Sequence, residues 1–404
     1  MSRFLFVVPP LVGHINPAVG VAAELAVRGH ESAWACADPG LVRRLAGEDA
    51  TVFPCAGPVP GSGDGVRPPD MRGPEALKFL WEGFLAPLAE EMAPGVAAAV
   101  GEFAPDVVVA DQQALAGGLV AERLGVPWAT SATTSAEFTD VLSGMPKVAE
   151  WLDELLGGLR GKIGDPARRA DPRFSPHLVL AFSTPEFVGA DARTGDQIRY
   201  VGPSIADRPA PPGFPWAWLD PARATVLVTL GTANTDVGAR FLTGCQVAAV
   251  ERADRMQTVI VDPAGVLGSA AEGAAEGEDK DVLIVPFVPQ LPLLERVDAV
   301  VCHAGHNTVC EALWHGVPLV VAPIRDDQPV VAGQVAEAGA GIRVRFGRVT
   351  APKLGAAIDA VLHEPGYRVA AGRIRTAFRA AGGASAAATH LEQLAIATPA
   401  EETA

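Results

Sequence analysis

Short apolar runs alternate with longer mixed segments along the first half of the chain. Runs at 4–8, 31–36, 51–54, 106–110 and 126–130 have the length and apolar character of buried strands. A first helix is predicted to begin at Asn16, its N-cap, with Pro17 in the first helical position and Gly29 beyond its end. Because strands that alternate with helices form parallel sheets covered on both faces, this half predicts an α/β domain.

A second alternating series follows a proline-rich and aromatic-rich stretch at 204–221, which predicts a linker. Its predicted strands lie at 225–230, 257–261, 281–287, 298–302 and 317–323, and its helices lie near 237–251, at 307–315, at 328–338 and over most of 351–394. We therefore predict an N-terminal domain over 1–203, a C-terminal domain over 222–380 and a final helix over 381–396. Both domains are expected to be doubly wound, with ligands at the carboxyl ends of the strands.

Two titratable side chains follow predicted strands of the first domain. His14 lies in the turn after the first strand, and Asp111 comes directly after the run at 106–110. An imidazole can remove a proton at neutral pH, and a neighbouring carboxylate would fix its tautomer if the two strands are adjacent. From position alone, a histidine such as His14 is more often a solvent-exposed loop residue, and an aspartate such as Asp111 is more commonly a helix N-cap, a role that is compatible with holding His14.

The second domain carries a denser set of polar residues. A strand that ends at Cys302 is followed by a glycine-containing turn and a predicted helix, which aims backbone N–H groups at an anion. His303, Asn307 and Thr308 add side-chain donors suited to a diphosphate, and Glu311 could accept ribose hydroxyl protons one turn later. Gly231 and Thr232 end another strand and could hold a phosphate oxygen, although an ordinary turn is the commoner explanation of this pattern.

Composition narrows the class of partner and compartment. The 404 residues are 49% hydrophobic and 20% charged, which excludes disorder as the main state, and the net charge of −15 disfavours a nucleic-acid partner. The five cysteines are widely spaced, which favours a reducing compartment over a disulfide framework. Proline and glycine interrupt the apolar stretch at 4–23, so we expect a cytoplasmic protein with no membrane span.

The pattern FxPQ…HxGxNTxxEAL…GVP…DQ, over 287–328, together with GHINP at 13–17, resembles the family 1 glycosyltransferases over nearly the whole chain. The resemblance implies the GT-B fold: two Rossmann-like, doubly wound parallel-sheet domains facing across a cleft. The N-terminal domain would bind the acceptor, the C-terminal domain the nucleotide sugar, and the final helix would cross back.

The resemblance also implies a role for individual residues. It assigns His14 as general base and Asp111 as its partner. In the nucleotide-sugar box, which includes Gln290 and Gly305, it implies that His303, Asn307 and Thr308 bind the diphosphate and that Glu311 binds the ribose. It further implies that Asp327 and Gln328 bind the sugar and that Phe287 and Val288 contact the base. Plant members have Trp where Phe287 and His306 stand, so the box points to a bacterial natural-product enzyme. The donor is left open between TDP and UDP, because thymidine lacks the 2′-hydroxyl that Glu311 could bind.

The expected reaction is an inverting transfer of a hexose or deoxyhexose to a hydrophobic natural product such as a polyketide or aromatic aglycone. It is expected to need no metal and no cofactor besides the nucleotide sugar, and the protein to be a monomer or homodimer. Trp81, Phe84, Phe138, Met145 and Trp151 are candidates to line the acceptor pocket, although aromatics at such spacing are more often core. The alternatives are a nucleotide-sugar epimerase or hydrolase of the same fold, and a non-catalytic homologue that acts as a helper protein.

Three other patterns, which would indicate a zinc site, a D-x-D metal motif or dinucleotide binding, are poorly supported by the sequence. Cys302, His303, His306 and Cys310 have poor geometry for a zinc chelate. The Asp279–Asp281 triplet reads as a solvated turn, and no G-x-G-x-x-G follows the first strand, so dinucleotide binding has little support.

Overall fold

The computed structural model describes residues 1–60, 71, 73–139, 144–206, 208, 213–231, 238–268 and 281–397. The chain divides into two compact units, which we call the N-terminal unit (Met1–Ala206 with Ala380–Ala404) and the C-terminal unit (Asp207–Arg379). Thr232, most of the Asp279–Asp281 triplet and part of the predicted linker at 204–221 lie outside the described residues.

Within the described part of the N-terminal unit, seven parallel strands form one sheet in the order β3-β2-β1-β4-β5-β6-β7. The strands are β1 (Arg3–Val7), β2 (Glu31–Cys36), β3 (Val52–Pro54), β4 (Val107–Asp111), β5 (Trp128–Ala132), β6 (Leu178–Ala181) and β7 (Ile198–Tyr200). The helices are α1 (Val12–Val27), α2 (Pro39–Ala46), α3 (Pro74–Lys78), α4 (Ala86–Phe103), α5 (Ala116–Leu124), α6 (Pro146–Ile163) and α7 (Pro185–Val188), with a π-helical segment at Phe79–Leu85 and a 3₁₀ turn at Ala136–Phe138.

The first helix differs from its prediction in a way that affects the site. It begins at Val12 rather than at Asn16, and the N-cap is Leu11 in an extended conformation. Pro17 therefore lies inside the helix, where it removes one backbone hydrogen bond near the N-terminus. As a result His14 lies in the first helical turn instead of in a turn before the helix. Helix α6 and strands β6 and β7 were not predicted at all.

In the C-terminal unit, six strands of the described residues form a second parallel sheet, ordered β10-β9-β8-β11-β12-β13. The strands are β8 (Ala224–Thr229), β9 (Met256–Val261), β10 (Val282–Val285), β11 (Ala299–Cys302), β12 (Leu319–Val321) and β13 (Gly341–Arg343). The helices are α8 (Ala239–Val250), α9 (Gln290–Leu294), α10 (His306–His315), α11 (Gln328–Glu337), α12 (Ala351–His363) and α13 (Pro365–Ala380), and a 3₁₀ turn spans Trp216–Trp218. Strand β13 was missed from sequence because, unlike the equally short β12, it does not lie within a continuous apolar run.

The last helix, α14 (Gly383–Ala397), is part of the N-terminal unit. Its apolar face, which includes Ala387, Ala388 and Leu391, joins the core cluster formed by α1 and the sheet. On its polar side Glu392 accepts a hydrogen bond from Arg28 at 2.7 Å. Apolar burial and this ion pair together fix the C-terminal segment against α1.

No helix among the described residues combines the length and the apolar character needed to cross a membrane.

Candidate active site

Both sheets reverse their strand order beside their first strand. In the N-terminal unit the reversal lies between β1 and β4, and in the C-terminal unit it lies between β8 and β11. Loops leave such a point in opposite directions, so a crevice opens beyond the carboxyl ends of the two strands. His14 and Asp111 lie at the first of these positions, and Gly231 and His303 lie at the second.

The pairing of β1 with β4 brings His14 to Asp111. Asp111 is the last residue of β4, and Oδ1 of its carboxylate lies 2.9 Å from Nδ1 of His14. The carboxylate is fully buried, while the imidazole is 16% exposed. The same Oδ1 also accepts a hydrogen bond from the backbone N–H of Gln113 at 2.8 Å, so Asp111 caps its own turn rather than helix α5, whose N-cap is Leu115.

A third residue, which sequence reasoning did not identify, completes this cluster. Thr133, just after β5, donates a hydrogen bond to Oδ2 of Asp111 at 2.9 Å, and its Oγ1 lies 2.7 Å from Nδ1 of His14. With the hydroxyl proton committed to Asp111, the carboxylate is left to accept the Nδ1 proton of His14. The arrangement therefore favours the tautomer whose Nε2 lone pair can take a proton. The run of hydroxyl residues at 133–135 after a strand was the available signal.

Two glycines make room for the His303 ring in the C-terminal unit. A Cβ on Gly305 would lie 2.3 Å from Nε2 of the imidazole, and one on Gly231 would lie 2.7 Å from its Cε1. Gly231 also has φ +69°, in the left-handed region that side chains disfavour. The ring thus lies between the end of β8 and the N-cap of α10, beside the helical turn that carries Asn307 and Thr308.

His303 is neutral at physiological pH. Burial lowers its pKa to about 4, with a further lowering by the positive charge of Arg325, partly offset by a hydrogen bond to the Thr229 backbone. Among the described residues its buried Nδ1 has no hydrogen-bond partner. A neutral imidazole has one N–H, so His303 can donate to an anion at the helix N-terminus only when the Thr229 backbone does not hold that proton, and the helix dipole then balances the charge of the anion.

Glu311, predicted as a ribose acceptor, is buried and already paired. Its Oε1 forms an ion pair with Arg208, and its Oε2 accepts a hydrogen bond from Nε2 of Gln290 at 2.6 Å. Gln290 is the first residue of the short helix α9, which brings the PQ part of the motif to the Glu311 carboxylate. Arg208 was not singled out from the sequence, because its partner is 103 residues away.

The loop after β12 positions the remaining polar residues of the motif. Asp327 is the N-cap residue of α11, and Gln328 is its first residue. The side-chain oxygen of Gln328 accepts the backbone N–H groups of Ile324 and Arg325, at 2.9 and 3.2 Å. These bonds stabilise a loop in which Asp326 takes φ +58°, an unfavourable conformation for a residue with a side chain. The side-chain amide of Gln328 keeps its donor group for another partner.

The predicted base-binding and acceptor-binding residues fall into exposed and buried sets. Phe287 is 63% exposed after β10, an accessibility suited to stacking, and Val288 beside it is partly buried. Trp81 and Phe138 are buried in core clusters, Phe84 and Trp151 are partly buried, and Met145 is 44% exposed. Thr232 lies outside the described residues. The roles predicted for all these residues stay predictions.

Among the Cys and His residues weighed above, His306 contacts Cys310, with Nε2 3.4 Å from Sγ. Burial raises the pKa of the Cys302 thiol to about 12 and that of Cys310 well above its usual range, which makes both of them inert apolar side chains.

The two sheets and their strand orders define the GT-B fold, and solved structures agree. The glycosyltransferase of kitacinnamycin superposes with a TM-score of 0.77 at 25% identity, covering 97% of this chain and 98% of that one. The glycosyltransferase VinC, solved in complex with dTDP, gives a TM-score of 0.71 at 22% identity, covering 98% of this chain and 100% of VinC. The predicted fold class is thereby confirmed.

Sequence comparison gives the family. Residues 272–394 match the family described as erythromycin biosynthesis protein CIII-like, C-terminal domain. The chain is 31% identical to 4′-demethylrebeccamycin synthase of Lentzea aerocolonigenes, over 94% of this chain and 96% of that protein. The chain belongs to the family 1 glycosyltransferases of the antibiotic-biosynthesis type, which use nucleotide sugars, and it is an enzyme of that class.

Proposed function

We propose that the enzyme transfers a hexose or deoxyhexose from a TDP- or UDP-sugar to a hydroxyl of a hydrophobic natural product, with inversion at the anomeric carbon and without a metal ion. The observation that carries this proposal is the Asp111 carboxylate, which holds His14 through Nδ1 and leaves Nε2 as the basic atom. The remaining steps follow from the chemistry of this pair and of the groups around His303.

In the proposed reaction His14 removes the proton of the acceptor hydroxyl as the oxygen attacks the anomeric carbon. Asp111 stabilises the imidazolium that forms, because its buried carboxylate accepts the Nδ1 proton at 2.9 Å. A positioned base of this kind supplies about 10²–10⁴-fold of rate acceleration.

A single displacement accounts for the inversion. Retention by double displacement would need a carboxylate to attack the sugar and form a covalent intermediate. The carboxylate nearest to His14 is buried and engaged with Gln113, Thr133 and His14, so it is poorly suited to act as a nucleophile. Attack by the acceptor oxygen from the face opposite the diphosphate then inverts the anomeric carbon.

Charge on the leaving diphosphate would be stabilised by the residues around His303. The N-terminus of α10, the side chains of Asn307 and Thr308, and the neutral imidazole of His303 supply hydrogen-bond donors and a positive dipole end. Arg325 is close enough to lower the pKa of His303 and adds a full positive charge. These groups can balance a diphosphate in the role that a divalent cation has in other transferases.

The nature of the acceptor is inferred from the relatives. The matching C-terminal family carries the name of erythromycin biosynthesis, and the 31% identical relative is named as a synthase of 4′-demethylrebeccamycin. A bulky, largely apolar acceptor is consistent with these names and with Phe84 and Trp151, two of the candidate pocket residues, which are only partly buried.

The test uses the purified protein with TDP- and UDP-sugars, each with and without a panel of polyketide and aromatic acceptors, in buffer and in EDTA. We expect glycoside only when an acceptor is present, at equal rates in EDTA, and with the opposite anomeric configuration from the donor by NMR coupling. Consumption of donor without acceptor would indicate an epimerase or hydrolase, and retained configuration would exclude the single displacement. Nucleotide binding with no turnover on any acceptor would support a helper protein.

A further inference from the structure

Both oxygens of the Glu311 carboxylate are engaged within the C-terminal unit. Arg208 forms an ion pair with Oε1, and Gln290 donates to Oε2 at 2.6 Å. The Glu311 side chain is 3% exposed, whereas the Arg208 side chain is 26% exposed. Glu311 is therefore a buried charge balanced by an arginine that solvent and a ligand can reach.

This pairing changes what Glu311 can offer a nucleotide. A ribose carries neighbouring 2′- and 3′-hydroxyls, and a bare carboxylate could accept one proton on each oxygen. With a guanidinium on Oε1, that oxygen is neutralised and sterically covered, so a ribose hydroxyl directed at it must displace Arg208 or remain without a partner. Either outcome costs binding energy, because a buried polar group without a hydrogen bond is penalised and a buried ion pair is expensive to break.

We propose that Arg208 is a specificity-determining residue that makes the enzyme favour 2′-deoxyribonucleoside diphosphates over ribonucleoside diphosphates. The inference rests on the proposed function, in which Glu311 faces the ribose of the donor. A 2′-deoxyribose brings a single ring hydroxyl, which the Gln290 side of the carboxylate can accept. A ribose brings a second hydroxyl to the side that Arg208 covers.

Four probes separate the contribution of the sugar from that of the base: TDP, dUDP, UDP and 5-methyluridine diphosphate. The pairs TDP with 5-methyluridine diphosphate and dUDP with UDP differ only at the 2′-position, and the other two pairs differ only in the base methyl group. Dissociation constants for all four are measured by calorimetry on the wild type, Arg208→Ala and Arg208→Lys. Arg208→Lys keeps a cation beside Glu311 and is the matched control.

In the wild type we expect both 2′-deoxy probes to bind more tightly than their ribo counterparts by about tenfold, the size of one lost hydrogen bond to a charged group. In Arg208→Ala this ratio is expected to approach one or to reverse, because Glu311 is released to accept both hydroxyls. Arg208→Lys should keep most of the wild-type ratio, and the effect of the base methyl group should be the same in all three proteins.

Two results would overturn the inference: a wild type that does not discriminate at the 2′-position, or an unchanged ratio in Arg208→Ala. An unchanged ratio accompanied by an equal loss of affinity for all four probes would mean that Arg208 acts on the diphosphate. If Arg208→Ala is unfolded by circular dichroism, Arg208→Met, which keeps the length of the side chain and removes every donor to Glu311, is measured instead against the same criteria. Failure of the wild type to bind any of the four would refute the proposed function itself, which keeps the two failures distinct.

Discussion

The hydroxyl of Thr133 lies 2.9 Å from Oδ2 of Asp111, on the carboxylate whose other oxygen holds Nδ1 of His14. A strand end from β4, a residue after β5 and the first turn of α1 therefore meet in one hydrogen-bonded cluster. Since the carboxylate has donors on both oxygens, its orientation is fixed, and through it the orientation of the imidazole.

Replacement of Thr133 by Val tests this positioning role, because the side chain keeps its shape and loses only the hydroxyl. We expect kcat to fall on the order of tenfold, the effect of one hydrogen bond to a charged group, with KM for donor and acceptor unchanged. Thr133→Ser should restore most of the turnover. A ¹⁵N spectrum of the imidazole should show a larger fraction of the Nε2–H tautomer in Thr133→Val, and an unaltered tautomer with unaltered kcat would reject the role.

His303 makes stability depend on pH. Its pKa is lowered from 6.5 to about 4 in the folded protein, so between these values the unfolded chain binds a proton that the folded chain does not. The contribution of His303 to the free energy of unfolding is therefore complete above pH 6.5. It is lost as the pH falls towards 4, by up to about 1.4 kcal/mol per pH unit. Urea unfolding of His303→Gln should show a shallower loss over that range than the wild type. Parallel pH profiles for the two proteins would contradict the assignment.

Gly305 is required because a larger residue would collide with His303. The φ of Gly305 is −63°, which any residue can adopt. Alanine is therefore disfavoured only because its Cβ would lie 2.3 Å from Nε2 of His303. Gly305→Ala should displace the ring and weaken binding of TDP by about tenfold, in line with the cost of overpacking a tight site. Gly244→Ala is the control, since a Cβ there meets nothing within 4 Å and should leave TDP affinity unchanged.

The packing of α14 on α1 predicts a large stability effect from one apolar residue. Leu391 is fully buried in the core cluster that includes α1, whereas Ile396 on the same helix is 79% exposed. Leu391→Ala should lower the free energy of unfolding by about 2–5 kcal/mol, and Ile396→Ala should change it by less than about 0.5 kcal/mol. Equal effects of the two substitutions in chemical denaturation would show that the helix does not pack as described.

Much of the architecture is encoded in local patterns. The runs that form β1, β4, β8 and β11 are almost wholly apolar, as expected of strands covered on both faces, and their order along the chain leads directly to a doubly wound sheet. The proximity of His14 and Asp111 followed from the same logic, since each comes at the end of a strand beside the switch point.

The failures have a common cause, which is that tertiary contacts override local signals. Asn16 and Pro17 form a strong helix-start signal, yet the N-cap lies five residues earlier, at Leu11, directly after the Pro9–Pro10 pair. Thr133 and Arg208 carry no motif of their own, because each gains its role only from a partner distant in sequence, Asp111 for the first and Glu311 for the second. Strands β7 and β13 are short and each contains an arginine, so neither shows the continuous apolar run that identified the equally short β12.

The most direct test of the account is the turnover of His14→Ala beside its affinity for TDP. Loss of the base should lower kcat by about 10²–10⁴-fold. The dissociation constant for TDP should stay within about twofold of the wild type, because the residues assigned to the nucleotide all belong to the C-terminal unit. Wild-type turnover by a folded His14→Ala protein would contradict the central claim that this imidazole removes the acceptor proton.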